Sequence, residues 1–413
     1  MKKVIVLLLI LMNFGLILKV NAQNGWELMK PMDIARGGHQ SCVIDSMIYV
    51  FCGINSSIVY VDSADAYNTK TDEWSNLTPT LIDLYESNAE VVNDTIYLVG
   101  GWKMDFNTSK SVMAYDPGGN SWVYKKDCPI NTGANTSCVL NDTLYILGGV
   151  EYPDSPDQKK ALYYVPGTDN WSSAPDMIYD HGVGASACVY DNKIFVFGGI
   201  GHNFFIHGKS EMYDPIKKSW KEIAEIPVPV LNHISVVHDD KFYIFGGDSG
   251  SYSHVRSYST NTIQEYDPST DKWRLMEGMP YKRANMTGQK VGDSVYLFGG
   301  YQNDSRDFTN PLSEVWRFNL DSLEVATVVN PIKVTQKDRI SLFPNPTNHL
   351  LTIKSDQPDF KSIEIISLSG QLIYRTEMEG ATRQIDITQF RKGVYFVTVR
   401  SKEFVRTEKI IKL

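Results

Sequence analysis

Cysteine is scarce, five in 413 residues, and none forms a Cys-x-x-Cys pair. That excludes a disulfide scaffold and a zinc ribbon. After the first two dozen positions no apolar run is long enough to cross a bilayer as a helix, so the processed chain is expected to have no transmembrane segment. Basic residues are also in deficit, 40 against 48 acidic, and the deficit is uneven. Residues 23–330 carry 23 basic and 39 acidic side chains, whereas residues 331–413 carry 14 and 9. A body this acidic lacks the Lys and Arg clusters that phosphate neutralisation requires, so nucleic acid is not an expected partner.

What is present begins with a leader. Lys2-Lys3, an apolar stretch over 4–18 and Val20-Asn21-Ala22 predict a signal peptide over residues 1–22, cleaved after Ala22. Beyond it the chain repeats itself. Counting 27 residues from Trp26, Trp74, Trp122, Trp220 and Trp273 reaches Cys52-Gly53, Gly100-Gly101, Gly148-Gly149, Gly246-Gly247 and Gly299-Gly300, and Trp171 reaches Gly198-Gly199 with one residue more. Tyr67, Tyr115, Tyr164, Tyr213 and Tyr266 each precede a tryptophan by seven residues, a spacing that sets the two rings opposite each other across a short hairpin. Phe318 ends the series, with Val325 where a tryptophan would stand. Branched and aromatic runs such as Ile48-Tyr49-Val50-Phe51 end at the glycine pairs, and turn signals such as Asn93-Asp94 precede them. Four strands per unit follow, and a period of 48 to 53 residues held six times marks stacked supersecondary units.

An apolar strand, Gly-Gly, then Tyr-Asp-Pro (Asp116-Pro117, Asp214-Pro215, Asp267-Pro268) and Trp together resemble the Kelch repeat. The resemblance implies an all-β, six-bladed propeller over residues 23–330, with the Trp26 segment completing the sixth blade and so removing a free sheet edge. Local departures are Cys52 for a glycine, Asn68 and Val165 for the aspartate, and Val325 for the last tryptophan. Cys42, Cys138 and Cys188 lie 11 residues before their units' second glycines, and Cys128 fills a slot held elsewhere by Met32, Met177, Ile226 and Met279. Small buried hydrophobes account for these four.

From residue 340 short alternating strands replace the repeat, after a linker over 331–339. They predict a small immunoglobulin-like β-sandwich over 340–413. Phe343-Pro344-Asn345-Pro346, Leu368-Ser369-Gly370-Gln371, Gly393-Val394-Tyr395 and Lys409-Ile410-Ile411-Lys412 closely resemble the type A C-terminal sorting domain of the type IX secretion system. That resemblance implies partners in the translocon and its sorting protease, and export to the medium or cell surface of a diderm bacterium, with Pro344, Asn345, Pro346, Gly370, Gly393, Tyr395, Lys409 and Lys412 carrying the signal. Six Asp-Ser/Thr-apolar triplets, among them Asp45-Ser46-Met47 and Asp321-Ser322-Leu323, resemble the O-glycosylation sequon of bacteria with this system.

Ligand contacts are expected on the face that gathers the loops after each glycine pair and the segments leading into each first strand. Two loops are long, 248–264 and 301–315, and carry Tyr252, His254, Arg256, Tyr258, Tyr301, Arg306, Asp307 and Phe308. Trp102, Tyr152, Phe204 and Phe205 add aromatics, a surface suited to sugar rings or peptide. Arg36 and Arg283 stand 17 residues before their second glycines, and His39 and His233 stand 14 before theirs. The histidine pair invites a copper reading, but no ligand set with defined spacing accompanies it, so neither metal nor cofactor is expected. Two functional classes follow. One is a secreted or surface binding module for glycan or protein. The other resembles the six-bladed Kelch N-acetylneuraminate epimerases, with Glu86, Glu211, Arg256 and Arg283 as acid-base candidates. Binding takes precedence because no catalytic motif matches residue by residue.

Overall fold

The computed structural model describes residues 25–151, 159–201, 205–251, 256–302, 309–326, 340–343, 347–355, 362–367, 372–377, 382–400 and 405–412. Its contacts divide the chain into two compact units, Met1–Ala326 and Thr327–Leu413.

The first unit is a closed six-bladed propeller. Each blade is a four-stranded antiparallel meander, as in blade 1 with Gln40–Ile44, Met47–Phe51, Ala64–Asn68 and Glu73–Asn76. The first strand of each blade is innermost, and these six strands pack side by side in chain order, the sixth (Thr287–Val291) against the first. In blade 6 the outermost strand is Trp26–Met29, paired with Val315–Asn319. The ring is therefore closed by the start of the repeat region.

The seven-residue aromatic spacing produces one recurring contact. Tyr67 faces Trp74, Tyr115 faces Trp122, Tyr164 faces Trp171, Tyr213 faces Trp220 and Tyr266 faces Trp273. Trp26 faces Phe318 in the same register, so it is Trp26 that supplies the sixth tryptophan. Val325 instead bridges to Met276 of blade 5. Five of the indoles reach back one blade: Trp74 Nε1 donates to the Lys30 carbonyl at 3.0 Å, and Trp122, Trp171, Trp220 and Trp273 repeat the bond on Thr78, Lys126, Pro175 and Ala224. Side chains thereby carry cohesion between blades that share no β-ladder.

The glycine pairs answer a steric need. A Cβ on Gly149 would lie 2.4 Å from the Cβ of Asn135, and one on Gly100 would lie 2.4 Å from the carbonyl oxygen of Thr132 in the next blade. Both glycines also have positive φ, where a side chain is disfavoured. Cys52 adopts the same left-handed geometry, with its thiol 3.6 Å from Thr80 Oγ1. All five cysteines are free and buried, and Cys42, Cys52, Cys138 and Cys188 pack in the clusters of aliphatic and aromatic side chains between blades.

The second unit is a β-sandwich of a three-stranded and a four-stranded sheet, ordered Ile340–Phe343, Leu350–Ser355, Thr382–Asp386 and Leu372–Glu377, Ser362–Ser367, Gly393–Arg400, Val405–Lys412. Leu351, Ile353 and Ile385 of one sheet meet Ile363, Ile365, Val397, Val399 and Ile410 of the other. Tyr395 is buried and its hydroxyl donates to the Arg391 carbonyl at 2.7 Å, fixing the turn that feeds its strand. Gly393 and Lys412 pair across the last hairpin, Lys412 is buried and bridged to Thr347, and the backbone of Lys409 pairs with Phe396. Pro344, Asn345, Pro346 and Gly370 lie outside the described residues.

Candidate functional site

Connections alternate between the two ends of the propeller, so the loops after the glycine pairs and the segments leading into the innermost strands share one face. Where those segments reach the axis they form a backbone ring. Glu86 N donates to Gly38 O at 2.9 Å, Ala134 N to Glu86 O at 3.0 Å and Gly184 N to Ala134 O at 3.3 Å. Asn232 N continues to Gly184 O at 2.7 Å, Asn285 N to Asn232 O at 3.0 Å, and Gly38 N returns to Asn285 O at 3.0 Å. All six residues have positive φ, from 49° at Glu86 to 70° at Gly184. With neighbouring backbones about 4.8 Å apart, a hexagon has a radius of about 4.8 Å, a bore that passes water and is too tight for a sugar ring. Each amide and carbonyl in this collar already has a partner, so recognition falls to the side chains around it.

Behind the collar runs a channel of about 480 Å³ lined by the innermost strands. Glu90 projects from the strand Asn88–Val92, touches the lumen and is otherwise packed in protein, where it accepts from Ser137 Oγ at 2.7 Å. Burial pushes its carboxyl up to about 7, against the Ser137 bond that favours the charged form. A carboxyl raised on folding takes up a proton, so stability is lost as pH rises from about 4.5 to about 7. Channel water screens the group, which leaves an effect of about 1–3 kcal/mol. Glu90→Gln is therefore expected to raise the urea midpoint at pH 8 and to leave it nearly unchanged at pH 4.5.

Most charged candidates are engaged inside single blades. Arg36, 1% exposed, pairs with Asp65, donates to Ser63 Oγ at 2.6 Å and reaches the Cys52 carbonyl at 3.3 Å. Arg283 repeats the device on Glu314 (2.6 Å) and the Gly299 carbonyl (3.2 Å). In blade 4 His181 takes the place of arginine, bonding the Gly198 carbonyl at 2.7 Å and Glu211 at 3.1 Å. Glu211 is fully buried and also accepts from the amides of Ile178 (2.9 Å) and Tyr179 (3.0 Å). Arg36, Arg283 and Glu211 are thus buried and engaged in clamps at the bases of the loops.

His39 and His233 are also internal. Each packs against the first glycine of the preceding blade, Gly299 and Gly198 respectively. Burial, then the Arg36 charge, holds His39 well below the usual range, and burial brings His233 down to about 3. Both rings are neutral at physiological pH. Among the described residues the one group able to hold a metal ion is His238, Asp293 and Asp321, at the hairpin turns of blades 5 and 6, and it includes neither of them.

Glu86 and Trp102 remain at the mouth, half-buried. Asn285 Nδ2 donates to Tyr85 Oη at 2.7 Å and approaches Glu86 Oε1 at 3.4 Å, and the Tyr85 hydroxyl hydrogen-bonds the Glu86 carboxylate. Trp102 bridges to Tyr85 through its backbone, and Tyr85 packs with Tyr60 at a centroid separation of 5.7 Å. Tyr301 is 5% exposed, its ring filling the space a side chain on Gly37 would need. Tyr60, Tyr85 and Asn285 were missed by sequence reasoning. Tyr152, Phe204, Tyr252, His254, Arg306, Asp307 and Phe308 lie outside the described residues, and Arg256 is described only by its backbone, in a hairpin of Asp248–Ser251 with Arg256–Ser259. The rim also exposes apolar side chains. Ile58 is 53% exposed and Phe106 73%, with Val59 and Met104 beside them.

The fold defines the class: a closed propeller of Kelch-type blades joined to a small β-sandwich. Comparisons agree. The profile of the Attractin/LZTR1 beta-propeller matches residues 16–202, that of the KLHDC2/KLHL20/DRC7 Kelch-repeats domain matches 134–336, and that of the Secretion system C-terminal sorting domain matches 341–413. The chain is a Kelch-repeat β-propeller protein with a type IX secretion system C-terminal sorting domain. Kelch-like protein 25 of Xenopus tropicalis is 27% identical over 299 residues, 70% of this chain and 42% of that protein. Kelch-like protein 40 of the same species is 28% identical over 38% of this chain and 25% of its own length, and Kelch-like protein terF of Aspergillus terreus is 32% identical over 40% and 38%. The chain thus spans a quarter to about two fifths of these curated relatives. The solved structure of YjhT superposes with a TM-score of 0.60 at 16% identity, covering 70% of this chain and 95% of that one, a likeness of fold.

Proposed function

We propose that the chain is exported by a signal peptide over 1–22 and the sorting domain over 340–413, and that its propeller, residues 23–330 ahead of a linker at 331–339, is a non-catalytic binding module for a protein ligand on the loop face. The observation that carries this reading is the pair of adjacent hairpin tips at Ile58-Val59 and Met104-Phe106, whose large apolar side chains stand in solvent at the rim of the mouth. Such patches on a soluble surface mark interaction sites. Ile58 and Phe106 also hold φ of 57° and 62°, a backbone geometry that costs a bulky L-residue roughly 1–2 kcal/mol and that glycine or asparagine would adopt more cheaply. Against the epimerase alternative, Arg283 and Glu211 are spent in clamps, which leaves Glu86 as the described acid-base candidate at the mouth.

Photo-crosslinking in the exporting cell tests the proposal. A benzoylphenylalanine in place of Phe106 is expected to capture a discrete protein, whereas the same probe at Ile216, 90% exposed at the turn end of blade 4, captures none. Equal labelling from both positions, none from either, or acceleration of sialic acid anomerisation by the purified full chain overturns it.

A further inference from the structure

The propeller face opposite the collar gathers the hairpin turns, and at the seam between blades 5 and 6 three of its side chains converge. His238 closes the innermost strand of blade 5, Ile234–His238. Asp293 sits in the turn between Thr287–Val291 and Ser294–Phe298 of blade 6, and Asp321 lies in the short helical turn Leu320–Ser322 that follows Val315–Asn319. A ring nitrogen of His238 and an oxygen of each aspartate all lie within 4.8 Å of one another. Residues 238, 293 and 321 share no spacing motif, so the fold alone brings them together. The imidazole is the anchor. His238 is 6% exposed and its Nε2 meets Asp321 Oδ1 at 2.9 Å, so a buried ring presents one nitrogen to two exposed carboxylates. Backbone bonds hold the acids in place: the Leu320 amide donates to the Asp293 carbonyl at 2.7 Å, and the Asp321 amide donates to Asn319 Oδ1 at 2.9 Å. Negative charge is left over. Asp239 Oδ2 stands 3.7 Å from the same nitrogen, and among the described residues no lysine or arginine pairs with Asp239, Asp293 or Asp321. The Asp293 carboxylate has neither a hydrogen bond nor an ion pair there.

One imidazole nitrogen with two carboxylate oxygens is a donor set for a borderline divalent ion. Zinc takes such donors at about 2.0–2.2 Å, which sets any two of them about 3.4 Å apart on a tetrahedral ion. The His238–Asp321 separation is already close to that, and a rotation of the exposed Asp293 side chain by about 1 Å brings in the third donor. Calcium and magnesium instead take larger or stricter shells of oxygen, in which an imidazole has no place. We infer that His238, Asp293 and Asp321 hold a divalent transition-metal ion of the zinc class, with its remaining position open to water. Such an ion staples blade 5 to the blade that closes the ring, and because it binds the folded arrangement it stabilises that seam. The site lies on the face away from the collar and stands apart from the protein-binding reading above.

Isothermal titration of zinc chloride into the chelator-stripped full chain is expected to show saturable binding, with calcium chloride weaker by about tenfold or more. Asp293→Asn removes an exposed, unpaired carboxylate and so leaves the fold intact, and it is expected to weaken zinc by about tenfold or more, as is Asp321→Asn. Asp240→Asn, which takes the same unit of charge from the neighbouring turn without touching the donor set, is expected to change the affinity by less than about twofold. Hydrogen exchange gives a reading apart from affinity: zinc is expected to slow exchange in Ile234–His238 and Val315–Asn319 and to leave Thr136–Leu140 as it was. No saturable binding overturns the inference. So does a loss in Asp240→Asn equal to that in Asp293→Asn, which reduces the ion to general attraction by acidic turns. Calcium bound as tightly as zinc overturns it by taking the imidazole out of the set, and zinc that protects neither strand overturns it by removing the staple.

Discussion

Replacing Asp65 with alanine is expected to cost the propeller about 3–5 kcal/mol, because it strands a guanidinium in the interior. Arg36 is 1% exposed, and its carboxylate partner sits on the second-outermost strand of the same blade. Ser63 Oγ at 2.6 Å and the Cys52 carbonyl at 3.3 Å remain after the substitution, but neither carries charge, so desolvation of the cation goes uncompensated. Removing both partners is a different matter. Arg36→Met with Asp65→Leu fills the space without a charge and is expected to recover most of the loss, since a buried pair and its apolar replacement are often nearly equal in stability. The thermal midpoint of the propeller transition checks this, at roughly 2–4 °C per kcal/mol for a unit of this size. A loss below about 1 kcal/mol in Asp65→Ala, or a double variant as poor as the single, contradicts the clamp. The loop face has a stake in the result, since the Arg36 carbonyl accepts from the Gly300 amide at 3.0 Å and lies two residues before the collar position Gly38.

That clamp shows where sequence reading stops. The arginines at 36 and 283 recur at one distance from their glycine pairs, but their partners do not. Asp65 projects from a strand, Glu314 lies just before the strand Val315–Asn319, and in blade 4 His181 stands in the arginine's place. The repeat specifies a slot, and blades 1, 4 and 6 fill it with three different pairs, so a search for recurring residues misses the pairing. The collar is hidden for a related reason. Its members are Gly, Glu, Ala, Gly, Asn and Asn, united by backbone conformation and by one hydrogen bond apiece, and no shared side chain announces them.

Legibility was high where a large side chain has one geometric solution. A tyrosine seven residues before a tryptophan leaves room for a single tight hairpin, and the gap that this count leaves at Val325 pointed to the unpaired Trp26 segment as the missing sixth member. The mouth was harder to read. Loop length pointed to blades 5 and 6, whose tips lie largely outside the described residues, and among the described residues exposed apolar tips also stand on the shorter loops of blades 1 and 2. Their signal was present in Ile58-Val59 and in Met104-Asp105-Phe106, apolar residues placed where a turn ordinarily carries Gly, Asn or Asp.

Trp26→Ala is expected to open the ring. Its indole is 3% exposed, stacks on Phe318 at 4.7 Å and meets Phe245 of blade 5 edge-on at 6.4 Å, so one side chain fastens the last strand both to its own sheet and to the neighbouring blade. Truncating a buried tryptophan costs about 3–5 kcal/mol through lost transfer energy and the cavity left behind. Here the loss falls on a four-residue strand held by one neighbour, Val315–Asn319, and the strand is expected to fray before the rest of the propeller unfolds. Hydrogen exchange separates the two cases. Amides of Trp26–Met29 and Val315–Asn319 are expected to lose protection in the variant, while the innermost strand of blade 3, Thr136–Leu140, keeps it under the same conditions. A uniform rise in exchange across all six blades is the outcome that defeats this account, because it means that the wheel stands or falls as one unit and has no particular seam. With Val315 and Phe318 exposed, the freed edge also offers an unpaired ladder to other chains, so the variant is expected to dimerise or aggregate on mild heating where the parent stays monodisperse.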